Sequence, residues 1–233
     1  MRKTARLLLK HRWLSASLTT LVALISVAVL PLPYLFFSDK IALIVSILLS
    51  LFATTPLLIG YKRWCANLEF DRKPPFLETF YFFTTSKRYL KCVFTGSILF
   101  LRTTVVVMSA MIPAASLLVL VDWLKTQPQN DIIDIFIKNC TFLAIAGMII
   151  FSVLLVVSLI KASSTSYFVA VDDNISVFRA SKLSSGFFRE KGGCVLKNLL
   201  LVAPLSFLIL PIFIIIPYLV VIITQSIKNY IKQ

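Results

Sequence analysis

The chain has 233 residues, of which 58% are hydrophobic and 15% charged, and it carries a formal net charge of +14; its mean hydropathy is +0.90. Soluble domains run at roughly half apolar and a quarter charged, so this balance excludes an ordinary soluble fold. Nor does the charge point to a nucleic-acid binder, because no recognised binding motif accompanies it and the basic residues flank apolar runs.

Twenty of the 24 Lys and Arg residues fall in four stretches: Arg2 to Arg12, Lys62 to Lys91, Lys161 to Lys197, and the tail residues Lys228 and Lys232. Lys and Arg in short loops stay on the cytoplasmic side of a membrane, so the alternation predicts an oriented multi-pass protein with its N-terminus inside. The expected partners of these stretches are anionic lipid headgroups, each nearby basic residue contributing on the order of 1 kcal/mol.

In chain order, residues 1–13 read as a basic interfacial helix. Residues 14–37 read as a first span, too long for the roughly 7–15 apolar residues of a signal peptide and without a small-x-small cleavage site. Pro31 and Pro33 lie near its outer end. A second span at 41–61 is expected to kink at Pro56, which membrane helices tolerate when a neighbour satisfies the freed carbonyl. Together these form a first hairpin, 14–61.

Residues 62–91 read as an interfacial segment. Pro74 and Pro75 can open a helix, and Phe76, Phe80 and Phe83 follow at helical spacing beside Tyr81, Phe82 and Tyr89. Rings mixed with Lys87, Arg88 and Lys91 suit a helix lying among headgroups. The second hairpin, 92–167, holds a third span within 92–121, an external loop at 122–138 and a fourth span at 135–160, extendable through Tyr167. In 168–194, Asp172, Asp173 and Asn174 supply N-cap oxygens for a short helix ending near Gly186 or at Gly192 and Gly193. The run 195–227 is too long for one span and short for two. The tail lysines favour an even number of crossings, hence a third hairpin bending at Pro211 and six segments, with five as the alternative. Residues 228–233 form the tail.

The chemistry-bearing residues are few. Arg102 is a charge inside an apolar run, either near the midplane or snorkelling to the headgroups. Ser163, Ser164, Thr165 and Ser166 either line a polar pocket or bond their own helix carbonyls. With Lys87, Arg88, Lys91, Arg179 and Lys182, these are the candidate lipid-contact or polar-pocket residues. The four cysteines form no C-x-x-C pair and read as apolar fillers. His11 has no partner for metal or nucleophilic chemistry. No catalytic motif occurs, so no enzyme, metal or cofactor is expected.

Ala5 with its Leu-rich stretch and Trp13, then Pro56, Gly60, Tyr61 and Trp64, then Tyr167, Asp172, Asp173, Ala180, Ser181 and Gly186, and finally Pro217 and Tyr218 together resemble a family of bacterial multi-pass membrane proteins, domain of unknown function 975. The Pro-Gly of that family's central hairpin is missing, as are the glycines between its last two segments. The resemblance implies architecture and no activity. The sequence therefore reads as an all-α polytopic membrane bundle of about six helical segments. The expected role is non-enzymatic: organising or associating with lipids, with a membrane-protein partner, or with further copies of itself. A small transporter or permease subunit is the alternative.

Overall fold

The computed structural model describes residues 2–10, 12–68, 74–127, 131–202 and 209–231; His11 and Lys232 lie outside them. Every regular element among the described residues is helical. Three helices are long and apolar enough to cross a membrane: Asp39–Ala66, Ser86–Lys125 and Ile132–Ser152. Trp13–Ala28 and Ile215–Ile231 are shorter apolar helices.

A short helix α1 (Arg2–Leu9) precedes α2 (Trp13–Ala28). The expected first span stops early, because Pro31 and Pro33 cannot donate to a continuing helix; a 3-10 turn, Leu32–Leu35, follows instead. Helix α3 (Asp39–Leu49) starts after the extended Ser38, with Asp39 in its first turn, where a carboxylate suits the positive end of the helix dipole. A π turn, Ser50–Thr54, leads directly into α4 (Thr55–Ala66).

This π turn is how the chain accommodates Pro56. Proline lacks the N–H that would bond the carbonyl of Phe52, and the Tyr89 hydroxyl donates to that carbonyl instead at 2.8 Å. Thr54 ties the same turn to α2 by donating to the Ser26 carbonyl at 3.0 Å. A neighbour thus satisfies the freed carbonyl, as the sequence reading requires, and the disturbance is an extra residue in the helical turn.

Helix boundaries differ from expectation in three further places. The second span runs to Ala66 rather than Tyr61, so Lys62 and Arg63 lie within the helix near its end. The aromatic segment is a 3-10 helix, Phe76–Phe83, and α5 (Ser86–Lys125) begins soon after it; Lys87, Arg88 and Lys91 are therefore the first turns of a long helix. Helix α6 (Asp131–Val171) shortens the predicted external loop from the other side.

The ends of α7 depart most from expectation. Helix α7 (Val177–Val202) passes through Gly186, Gly192 and Gly193 without ending, and Pro211 lies inside α8 (Ile209–Ile231). Pro211 falls in the first turn of α8, and residues 203–208, between the two helices, lie outside the described residues. The N-cap is also reassigned. Ser176 accepts the Arg179 N–H at 3.3 Å, whereas Asp172 accepts the Asn174 N–H at 2.9 Å and shapes the preceding turn.

The chain packs as two compact units, Met1–Ser97 with Ser163–Gln233, and Ile98–Ala162. In the first, α2, α4 and α8 pack on one another, α1 and α7 pack on α8, and the 3-10 segment packs on α4. Its core includes Thr20, Ile59, Trp64, Phe82, Phe168, Phe187 and Val221. In the second, the middle of α5 and the first part of α6 expose most of their apolar side chains, Val105, Met108, Ile112, Phe136, Phe142 and Ile149 among them. Burying such faces against lipid rather than against protein is what a membrane span does.

Candidate functional site

The site of interest forms at the Ala66 end of α4, within the first unit. Gly60 begins it. A Cβ there would lie 1.9 Å from the backbone oxygen of Thr79, so only glycine lets the 3-10 segment Phe76–Phe83 rest directly on α4. Thr79 and Phe82, three residues apart on one face of that segment, are buried against the helix. The Trp64 indole N–H donates to the Pro74 carbonyl at 3.2 Å, and Asn67 donates to the Glu78 carboxylate. These contacts fix where Tyr81 emerges.

Tyr81 meets residues from three other elements around Asp173. The Arg63 guanidinium donates to Asp173 Oδ1 at 2.6 Å and to the Ala170 carbonyl at 3.4 Å. The Tyr81 hydroxyl donates to Asp173 Oδ2. Lys91, on α5, donates to the Asp173 carbonyl at 2.7 Å and to that of Asp172 at 3.5 Å. Arg63 and Arg88 both rest over the Tyr81 ring, 3.7 and 4.3 Å from its centroid, as cations do over an electron-rich face.

Electrostatically the junction is dense: Arg63, Arg88 and Lys91 gather around Glu78, Asp172 and Asp173. Arg63 Nε lies 3.9 Å from Glu78 Oε1, and Arg63 Nε and Glu78 Oε2 are buried without hydrogen-bond partners. Burial, and then the hydrogen bond to Asp173, raise the Tyr81 pKa above its ordinary value, while the two guanidinium groups pull it the other way. The phenol therefore stays a donor to Asp173 at neutral pH.

A second polar contact lies deeper in the bundle. Lys62 donates to Ser166 Oγ and sits 4.4 Å from the centroid of the Tyr167 ring. Thr20 gives its proton to the Ala16 carbonyl at 2.7 Å. Its 3.0 Å contact with Tyr61 is therefore donated by the phenol, since a hydroxyl has one proton to give.

The residues singled out in the sequence divide accordingly. Arg88 and Lys91 are in the junction, and Ser166 lies in the deeper contact with Ser164 and Thr165 buried beside it in the chain. The side chain of Ser163 is outside the described residues. Lys87 is exposed on the first turn of α5. Arg179 and Lys182 are exposed on α7, where Arg179 lines a cavity of about 490 Å³ with Asp172, Glu190 and Tyr230. Arg102 is half-buried and belongs to the other unit, Ile98–Ala162.

Sequence reasoning missed Arg63, Tyr81 and Asp173 as a set. The available signal was scarcity: with ten acidic residues against 24 basic ones, each acid beside an apolar run is a candidate partner for a cation. Cys65, Cys92 and Cys140 are buried free thiols. Among the described residues, no group of three or more His, Cys, Asp or Glu could hold a metal ion.

Fold and junction together define an all-helical bundle with membrane-length apolar helices and a charged polar cluster at the end of two of them. Compared with known proteins, the chain matches no family model, no curated protein and no solved structure.

Proposed function

We propose that the protein is a non-enzymatic, multi-pass component of the cell membrane, N-terminus inside, that associates with anionic lipid headgroups or holds another membrane complex against them. The observation that carries this reading is the gathering of cations at the ends of two apolar helices, with no acidic residue in the first turn of the second. Lys62 and Arg63 close one apolar span, and Lys87, Arg88 and Lys91 open the next, so both sets sit where a span meets the headgroups. The orientation draws on the sequence, where this side collects twenty basic and six acidic residues against three and four on the other. Gly60, Tyr61, Trp64, Tyr167, Asp172 and Asp173, among the residues on which the resemblance to domain of unknown function 975 rests, fall at or next to the junction, and we propose that the chain is a divergent member of that family.

A transporter reading draws on the Lys62–Ser166 and Tyr61–Thr20 contacts, which put polar groups inside the first unit. The two readings separate by identifying the lipids and proteins that co-purify with the chain, and by testing single cysteines at positions 102 and 163–166 with membrane-impermeant reagents. Enriched anionic lipid and blocked cysteines support the lipid-associating reading. Cysteines reactive from both sides of the membrane support transport.

A further inference from the structure

Where the Phe76–Phe83 segment rests on α4, two charged groups come close without bonding. Arg63 Nε lies 3.9 Å from Glu78 Oε1, beyond hydrogen-bond range. Among the described residues, Arg63 Nε and Glu78 Oε2 are buried and have no hydrogen-bond partner. The two side chains are only 16% and 10% exposed. Thr79 Oγ1, next in the chain to Glu78, is a third such atom in the same interface. Native proteins leave few buried polar groups unpaired, because each one forfeits its hydration.

Both ends of the gap are held. Arg63 Nη1 donates to Asp173 Oδ1 at 2.6 Å and to the Ala170 carbonyl at 3.4 Å, and the guanidinium rests 3.7 Å from the centroid of the Tyr81 ring. Glu78 Oε1 accepts from the Asn67 amide, and the backbone beside Glu78 is fixed by its close approach to Gly60. Closing the gap would strain these contacts, and direct pairing through Oε1 would still leave Oε2 without a partner.

The two atoms define the chemistry of what joins them. Arg63 Nε–H only donates and a carboxylate oxygen only accepts, so the bridging group must accept on one side and donate on the other. A metal ion or an ammonium cannot accept from Arg63. A halide cannot donate to Glu78. Water does both, and it is the usual bridge between polar groups held more than about 3.5 Å apart. Buried waters join two to four groups of this kind.

We propose that one ordered water sits between Arg63 Nε and Glu78 Oε2, accepting from the first and donating to the second. It closes a ring of hydrogen bonds. The ring leaves the Phe76–Phe83 segment at Glu78, crosses the water to Arg63, continues to Asp173 and returns to the segment through the Tyr81 hydroxyl. The water thereby clasps the segment to α4 at a second point beside the Tyr81 contact.

Two measurements on the wild-type chain test this. In a crystal structure fine enough to show ordered water, a peak is expected about 2.7–3.2 Å from both atoms, with no anomalous signal after thallium or bromide soaks. In detergent, water-selective magnetic resonance on isotope-labelled arginine should show a cross-peak between Arg63 Nε–H, identified by its loss in Arg63→Lys, and a long-lived water. Arg179, exposed on α7, should show none. Thr79→Val keeps the cross-peak, which excludes relay through that hydroxyl, and Glu78→Met loses it. Density that places Arg63 Nε directly on Glu78, or an anomalous scatterer between them, overturns the proposal. So does a wild type without the cross-peak, a cross-peak lost in Thr79→Val, or one kept in Glu78→Met. The wild-type measurements decide the matter even if Glu78→Met does not fold.

Discussion

Replacing Asp173 with Asn is the sharpest perturbation of the junction. The carboxylate accepts from Arg63 at 2.6 Å and from Tyr81, and Lys91 bonds its backbone carbonyl, which the substitution leaves in place. The Arg63 and Asp173 side chains are 16% and 33% exposed. Hydrogen bonds to charged groups contribute about 1.5–3 kcal/mol when well sheltered, and exposed ion pairs contribute about 0–1 kcal/mol. A pair in between, plus one phenol bond, gives about 2–3 kcal/mol for Asp173→Asn, part of it the cost of leaving Arg63 half-buried without its counter-charge. The control is Asp122→Asn, which breaks a 3.4 Å contact to Lys125 between side chains 59% and 80% exposed and should cost at most about 0.5 kcal/mol. Both are read as shifts in denaturant midpoint in the same detergent. A double-mutant cycle with Arg63→Gln should return a coupling of about 1 kcal/mol or more. An Asp173→Asn shift no larger than that of Asp122→Asn would refute the structural role assigned to the junction.

Other outcomes follow from single contacts. Gly60→Ala should cost about 3 kcal/mol or expel the Phe76–Phe83 segment, since the added Cβ meets an immovable backbone oxygen; Gly147→Ala, with nothing within 4 Å, should be neutral or gain up to about 1 kcal/mol. Protease susceptibility of residues 69–85 distinguishes expulsion from simple strain. Tyr89→Phe removes the donor to the Phe52 carbonyl and should lower stability by about 1 kcal/mol, an effect that Pro56→Ala should reduce by restoring an amide donor; full additivity of the two would contradict the pairing. Tyr81 has its pKa raised in the folded chain. Its contribution is therefore fully present below the unfolded pKa of about 10 and is lost as pH rises through the higher folded value. Ultraviolet titration of wild type minus Tyr81→Phe should show the missing phenol ionising above pH 10, and ionisation at or below that value would contradict the Asp173 bond.

How much of this was legible in the sequence differs by feature. The helical class, the apolar helices and the partnered proline at position 56 follow from local composition, because span length and a missing N–H act within a few residues. Helix ends followed less well. Gly192 and Gly193 look like stops, but a glycine ends a helix only when the chain must turn there, and α7 continues to Val202. Gly186 instead leaves room for Tyr230, whose hydroxyl would lie 2.9 Å from an added Cβ. Asp172 and Asp173 look alike as capping residues, yet one shapes a turn and the other faces Arg63. The junction itself was not legible, since its partners are 92 and 110 positions apart for Tyr81 and Arg63. Nothing local to Asp173 names the cation it will meet.

The central claim is that the cation-rich ends of α4 and α5 select anionic lipid. Spin-label resonance on the protein reconstituted in vesicles measures this directly, as the motionally restricted fraction of spin-labelled phosphatidylglycerol against phosphatidylcholine. The prediction is a larger restricted fraction for phosphatidylglycerol, reduced when salt shortens the Debye length from about 10 Å to about 3 Å, and reduced further in Lys87→Gln/Arg88→Gln. Equal restricted fractions for the two lipids at low salt would contradict it.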